Sequence, residues 1–250
     1  MAPPARSSDY SPNQQLQKSC AGTKPRSIVE YYHGDALPAA LLRAAVDLTR
    51  RNMTGIAGPK WSASEVREDM CHADTRLIAV KTGPLLLGFA SYRLTLEEGQ
   101  KVAYLYELQL EPHARGLGLG SELVQEVERL GRKGGAGGIM LTVHTCNLAA
   151  KRFYTGRMEF EVSPISPALC APPVIANTCD YELLQRFWDS TARRALRKRA
   201  AAARRQLYID AMECGRLKVR LVMSKGGHGP TPLEPDASDS DATQWRDEDD

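Results

Sequence analysis

A chain of 250 residues, 42% hydrophobic and 25% charged, has the length and composition of one domain with a full core plus extensions. Its apolar runs, such as Ile78–Val80 and Leu85–Ala90, are strand-sized and fall short of the roughly 18 residues of a membrane span, so no membrane segment is expected. The net charge of +3 conceals blocks of +3 over 1–28, −2 over 29–185, +9 over 186–225 and −7 over 226–250, and such blocks mark surface helices and tails rather than a core.

Residues 1–28 are rich in Ser, Pro, Gln and Lys/Arg and are expected to be disordered; Asp9 and the prolines speak against a transit helix. Pro38 suits a first helical turn, and Leu41, Leu42, Ala45, Val46 and Leu48 recur at helical spacing as far as about Met53. Gly55, Gly58 and Pro59 end that helix. Ser62, with Glu65 three residues on, makes a capping box for a polar helix over 62–71. Strands are predicted over 75–81, 85–96 and 102–110, joined by Thr-Gly-Pro and Glu-Gly turns into an antiparallel meander. A Gly-rich loop over 115–120 leads into an amphipathic helix to about Arg132. Then come an apolar strand over 139–143, a short helix over 147–156, a strand over 158–162, a proline-rich loop over 163–175 and a last strand over 178–184.

The order α-α-β-β-β-α-β-α-β-β is a mixed α/β (α+β) fold, expected over residues 29–185. From Arg186 the composition turns to Ala and Arg, so 186–225 reads as a basic helical extension and 226–250 as an acidic disordered tail. Six cysteines, at 20, 71, 146, 170, 179 and 214, make no C-x-x-C pair, and no secretory signal is read, so free thiols in a reducing compartment are expected. His33, His72, His113 and His144 form no cluster with them at ligand spacing, so no metal is expected.

Arg115-Gly116-Leu117-Gly118-Leu119-Gly120 carries the strongest chemical signal, because it follows an apolar strand and opens a helix. Glycines let the backbone turn tightly and approach a ligand. Free N–H groups at a helix start favour phosphate oxygens, and Arg115 adds a charge-assisted donor. The run reads R-x-x-G-x-G, and Asn147-x-x-Ala150-x-x-Phe153-Tyr154 follows about 30 residues on. Together they resemble the coenzyme A signature and second hallmark of the GNAT superfamily of acetyltransferases. The preceding meander does not suit a Rossmann unit.

Finer stretches resemble the NatD type, which acetylates the N-terminal α-amine of histones H4 and H2A. They are Asp47–Met53, Tyr104–Glu111, Leu141–Asn147, Met158–Glu161 and Cys179–Leu184, with Tyr-x-Tyr-Glu-x-Gln-Leu the most specific. The resemblance implies a central, mostly antiparallel sheet flanked by helices, and acetyl-CoA as co-substrate without a metal. It implies that Leu108, Gln109 and Leu110 hold the pantetheine arm and acetyl carbonyl through their backbone. Arg115, Gly116, Leu117, Gly118, Leu119, Gly120 and Ser121 would cradle the pyrophosphate, with Thr142 and Asn147 completing that site. Trp61, Glu97, Tyr104, Tyr106 and Tyr181 would line a peptide channel.

Acetyl transfer needs a neutral amine attacking a thioester, and an α-amine near pKa ~8 sheds its proton more readily than a lysine near ~10.4. Glu107 is the candidate base, a backbone N–H near Leu108 the oxyanion donor, Tyr106 a neighbour where substrate and thioester meet, and Tyr154 a donor to the leaving thiolate. Packing alone also accounts for Tyr104, Tyr106, Tyr181 and Trp61, and solvation for Glu97 and Glu98. Two departures stand out: Thr95 lies where the branch has an acidic residue, and 54–60 replaces a segment with a substrate-binding tyrosine. The expected partners are H4 and H2A tails beginning Ser-Gly-Arg-Gly, with a nucleic-acid contact through Arg193–Arg205 and a nuclear and cytoplasmic location. Small amines or lysine side chains are the alternative substrates.

Overall fold

The computed structural model describes residues 16–17, 27–58, 61–170 and 178–213, with side chains described from 27 to 206. Of the segment expected to be disordered, 1–28, residues 16–17 and 27–28 are described, and Leu16 and Gln17 pair with Val29 and Ile28; its remainder, the end of the basic extension, the acidic tail, and Cys20 and Cys214 lie outside the described residues. Eight strands form one sheet: β1 (Leu16–Gln17), β2 (Ile28–His33), β3 (Arg76–Thr82), β4 (Leu85–Glu97), β5 (Gln100–Leu110), β6 (Gly138–His144), β7 (Glu161–Val162) and β8 (Tyr181–Phe187). Their order is β1-β2-β3-β4-β5-β6-β8-β7. All neighbours are antiparallel except β5 and β6, which run parallel, so the sheet is mixed and mostly antiparallel, as expected.

Two cores lie on the sheet. Helix α3 (Leu119–Lys133) lays Leu119, Leu123, Val124, Val127 and Leu130 against Tyr92, Ala103, Leu105, Ile139 and Leu141. Helices α1 (Ala39–Ala57) and α2 (Ala63–Cys71) bury Leu41, Ala45, Leu48 and Met70 with Leu77, Ala79 and Phe89. Ser62 caps α2 by accepting from the Glu65 N–H at 3.3 Å, the cap its sequence predicts. Helix α1 runs four residues past Met53, straight through Gly55, because one glycine lowers helical stability by only about 1 kcal/mol and tertiary packing outweighs that.

Three local readings are corrected. Strand β2 was not expected, although Ile-Val-Glu-Tyr-Tyr-His is rich in β formers; it pairs with β3 along its whole length. The strand expected over 158–162 shrinks to Glu161–Val162, and the helix before it is α4 (Leu148–Arg152) continued by a π turn, Phe153–Arg157. The loop expected over 163–175 contains a short helix, α5 (Pro167–Cys170), and the last strand is shifted to Tyr181–Phe187.

Beyond residue 185 the chain continues as a helix with a buried stripe. Helix α6 (Ser190–Glu213) continues the domain, and the compact unit ends at Ala203. Its buried stripe is Ala192, Leu196 and Ala200, at i, i+4 and i+8. Arg193 and Arg197 bond Glu161 at 2.5 and 3.1 Å, and Arg199 donates to the Glu98 carbonyl at 2.6 Å. Trp188 donates to the Ala136 carbonyl at 2.8 Å under the Arg132 guanidinium. A helix that only waved in solvent would tolerate any change at Leu196. Here that side chain is fully buried, so Leu196→Ala should cost about 2–4 kcal/mol in urea unfolding; a change under ~0.5 kcal/mol would show that the helix does not contribute to the fold.

Among the described residues, no helix is long and apolar enough to cross a membrane. Nor does any group of three or more His, Cys, Asp or Glu there suit a metal ion. Cys71, Cys146 and Cys179 are free thiols.

Candidate active site

The site begins with a break in the sheet. Ser91 pairs with Glu107 and Tyr92 with Leu105, so Tyr106 is an extra residue in β5 and makes a bulge. Parallel pairing between β5 and β6 ends at the same place, at Leu105 and Leu141, although both strands continue. Beyond it the strands splay. Tyr106, Glu107, Leu108, Gln109 and Leu110 on one side face Leu141, Thr142, Val143 and His144 on the other across a cavity of about 600 Å³.

The end of α1 closes one wall with Asn52, Met53 and Ile56. Arg115, Gly116, Gly118, Gly120 and Ser121 bring the Gly-rich loop to the rim, and Asn147, Phe153, Tyr154 and Arg157 complete it. Gly118 is the N-cap of α3 at φ +86°, a left-handed conformation that glycine adopts without steric cost. No side chain caps α3, so its first-turn N–H groups, which have no intrahelical partner, are left for an anion. A pyrophosphate fits this head of the cavity, with Arg115 beside it.

Glu107 is the cavity's carboxyl group, and burial moves it towards neutrality. Burial pushes its carboxyl up to about 7; the Gln109 hydrogen bond opposes this, and the charge of Asp69 on α2 adds to it. Tyr154, buried among Phe153 and Phe160, has its hydroxyl pushed well above the usual range, first by burial and then by the charge of Glu107. A carboxylate poised near neutrality and a phenol that stays protonated thus share one cavity.

The remaining expected residues divide. Leu117 points away, 38% exposed, and Leu119 is buried in the core under α3, so neither side chain lines the cavity; what they can offer a ligand is backbone N–H. The Asn147 side-chain oxygen caps α4 through the Ala150 N–H at 3.2 Å, which leaves its Nδ2 for a ligand. Tyr104, Glu97, Tyr181 and Trp61 are not in the lining. Tyr104 shares a 2.5 Å hydrogen bond with Thr142, and its ring lies 5.2 Å from that of Tyr106. Burial raises the Tyr104 hydroxyl against the Thr142 bond, and Glu97, Tyr106 and Tyr181 add to the rise, so these four side chains stand near one another, with Tyr106 and Thr142 in the cavity wall. Glu97 is itself held above the usual carboxylate range, first by burial and also by Glu98. Tyr106 is stacked under the Arg93 guanidinium at 4.4 Å. Trp61 stands apart from this group, with a buried indole N–H that has no partner among the described residues.

Asn52, Met53, Ile56, His144 and Arg157 line the cavity without having been assigned from sequence. Asn52 had a readable signal: it continues the α1 stripe of Leu41, Leu48 and Thr49 at helical spacing, a polar side chain where the pattern calls for an apolar one. His144 follows Thr142 at period two on the same strand face.

Residues 42–160 match the family model of the Acetyltransferase (GNAT) family. Among solved structures the chain is similar to PaiA N-acetyltransferase from Thermoplasma acidophilum in complex with coenzyme A, at 17% identity, covering 64% of this chain and 99% of that one with a TM-score of 0.46. It is similar to the ribosomal-protein-S18-alanine N-acetyltransferase from Escherichia coli at 17% identity, covering 64% and 94% with a TM-score of 0.48. It is also similar to Ard1 from Thermoplasma volcanium at 13% identity, covering 64% and 97% with a TM-score of 0.47. The matched segment, residues 42–160, contains every residue that lines the cavity, and it is this segment that is similar to the acetyltransferases of the GNAT family.

Proposed function

We propose that the chain transfers the acetyl group of acetyl-CoA to the free α-amine of a protein N-terminus, and that its substrates are histone H4 and H2A tails beginning Ser-Gly-Arg-Gly. The observation that carries the reading is Glu107, held near neutrality where β5 and β6 splay, in the cavity whose rim also holds the uncapped head of α3. Proton transfer to a carboxylate at about 7 is uphill by about one pH unit from an α-ammonium of pKa ~8, but by more than about three from a lysine of pKa ~10.4. That difference favours an α-amine over a lysine side chain.

In this reading Arg115 and the N–H groups from Gly116 to Ser121 bind the pyrophosphate, and the β5 backbone at Leu108–Leu110 holds the pantetheine arm, with Thr142 and Asn147 across the gap. Glu107 takes one proton from the ammonium, and the freed amine bonds to the thioester carbonyl carbon. A backbone N–H near Leu108 meets the oxyanion. As the carbon–sulfur bond breaks, Tyr154 donates a hydrogen bond to the thiolate. The amide's surplus proton passes to the sulfur, so the products are acetylated amine and coenzyme A thiol. Tyr154 stays a donor and not an acid, because its hydroxyl is far less acidic than a thiol of pKa ~8.5.

Glu97, Tyr104, Tyr106 and Tyr181, an acid among aromatic rings, suit an extended cationic peptide. Thr95 gives this rim one acid fewer than the histone-specific branch. On the same reading the enzyme works in the nucleus and cytoplasm. A nucleic-acid contact through residues 193–205 rests on Arg194, Lys198 and Arg205, since Arg193, Arg197 and Arg199 are already bonded within the fold.

The test is transfer from labelled acetyl-CoA to a peptide beginning Ser-Gly-Arg-Gly, beside the same peptide with a blocked N-terminus and free lysines. Label on the free N-terminus alone is expected. Label on the blocked peptide would move the assignment to lysine side chains. Label on neither, with acetyl-CoA still bound, would point to small amines.

A further inference from the structure

Three polar side chains, Arg115, Asn52 and Gln109, connect the Gly-rich loop to Glu107. Arg115 Nη2 donates to Asn52 Oδ1 at 2.7 Å and to the Leu110 carbonyl at 3.3 Å. Asn52 Nδ2 donates to Gln109 Oε1 at 2.9 Å and to the same carbonyl at 3.1 Å. Gln109 Nε2 donates to Glu107 Oε2 at 2.7 Å.

The polarity of this chain is set at the Arg115 end. A guanidinium only donates, so Asn52 must turn its oxygen to Arg115 and its nitrogen to Gln109. Gln109 must answer with its oxygen, which aims its own nitrogen at Glu107. Gln109 is 6% exposed, so water offers it little alternative, and a buried amide that loses its partner must turn or go unsatisfied. The Leu110 carbonyl, accepting from both Asn52 and Arg115, pins the two to β5 at one point.

Resting on the acetyl-transfer reading of this cavity, we propose that Asn52 is a positioning residue that ties the co-substrate loop to Glu107. By holding Arg115 at one end and orienting Gln109 at the other, it sets where the carboxylate points and how readily it takes a proton. Asn52 touches neither the carboxylate nor the reacting atoms; it acts through Gln109. The other groups around Glu107 are Asp69 from α2, bonded to Arg93 of β4 at 2.7 Å, Tyr154 from the π turn, and His144 of β6 and Arg157 in the same cavity. None of them is altered by a change at position 52, so a displaced titration of Glu107 in such a variant reports on the chain through Gln109.

Carbon-13 NMR of the full chain labelled at glutamate Cδ reads that titration without any turnover, with the Glu107 signal identified by its absence in Glu107→Gln. In Asn52→Ala the midpoint of Glu107 should rise by about 0.5–1 pH unit, the size expected from loss of one hydrogen bond to the charged form. Calorimetry should show acetyl-CoA bound about 3–10-fold more weakly, because Arg115 loses an anchor. Asn52→Gln, which keeps both a donor and an acceptor, should recover part of each effect. Arg115→Met, which frees Asn52 to turn, should raise the Glu107 midpoint from a position with no bond to Glu107, and it serves as the test should Asn52→Ala fail to fold. Unmoved midpoints, with acetyl-CoA bound by the unaltered chain, overturn the inference and leave the acetyl-transfer reading standing. No acetyl-CoA binding by the unaltered chain, with the midpoints displaced as expected, overturns that reading instead.

Discussion

Replacing Glu107 by glutamine is expected to lower the turnover number about 100-fold or more while leaving acetyl-CoA affinity within about twofold. Glutamine keeps the size of the side chain and can still bond Gln109, but it cannot take a proton from the ammonium. With the native residue, kcat/KM should climb with pH through about 7, because Glu107 accepts a proton only once ionised. In the variant that limb should vanish. Equal losses of turnover and acetyl-CoA affinity would instead assign Glu107 a structural role.

The same substitution should stabilise the protein at high pH. Folded, Glu107 keeps its proton up to about 7; unfolded, only to ~4.3. Between those values the native state binds more protons than the unfolded chain, so stability falls as pH rises through that window, and the loss is complete above it. Glutamine does not titrate. At pH 8 Glu107→Gln should be more stable by about 1–2 kcal/mol, after a discount for the partial exposure of the residue, and near pH 4 the two proteins should match. Urea unfolding at both pH values checks the sign.

Gly118→Asp is expected to abolish measurable acetyl-CoA binding, a loss of about 100-fold or more. Two effects act together. A carboxylate at the N-cap of α3 repels the pyrophosphate, and it occupies the first-turn N–H groups that would bind it. The fold itself should change little, because the new cap gains about 1 kcal/mol and the left-handed φ of +86° costs an aspartate a similar amount. Calorimetry with acetyl-CoA beside a thermal melt separates the two. Unchanged affinity in a folded variant would remove the co-substrate from this loop.

Much of this molecule is legible in one dimension. The meander of β3, β4 and β5 shows as apolar runs punctuated by Thr-Gly-Pro and Glu-Gly, and α3 shows as an apolar stripe behind a Gly-rich loop. These are local signals, set by propensity and period over a few residues. The misses are non-local. Strand β2 is stabilised by its full-length pairing with β3, some 48 residues away in sequence, and the stretch after α4 closes as a π turn because Tyr154 and Phe160 must reach the core under α3. Helix α6 reads as a solvated Ala/Arg helix from composition, and only the packing of Leu196 and the Glu161 contacts make it part of the domain.

The site divides in the same way. Arg115, the glycines of 116–120, Glu107 and Asn147 are visible from residue type and spacing, because phosphate binding at a helix start and proton transfer by a carboxylate each demand particular side chains. What the sequence by itself determined is therefore the resemblance to the GNAT acetyltransferases, the order of its principal elements and the residues proposed for the chemistry. Where those residues meet was decided by the tertiary structure. The extra residue at Tyr106 ends the pairing of β5 with β6 and opens the cavity, and burial there raises Glu107 to about 7. Asn52 reaches Gln109 and Arg115 only because α1 packs across the sheet. A bulge, a desolvated carboxyl and a hydrogen bond across 57 positions depend on what the chain is folded against, and local sequence carries no record of that.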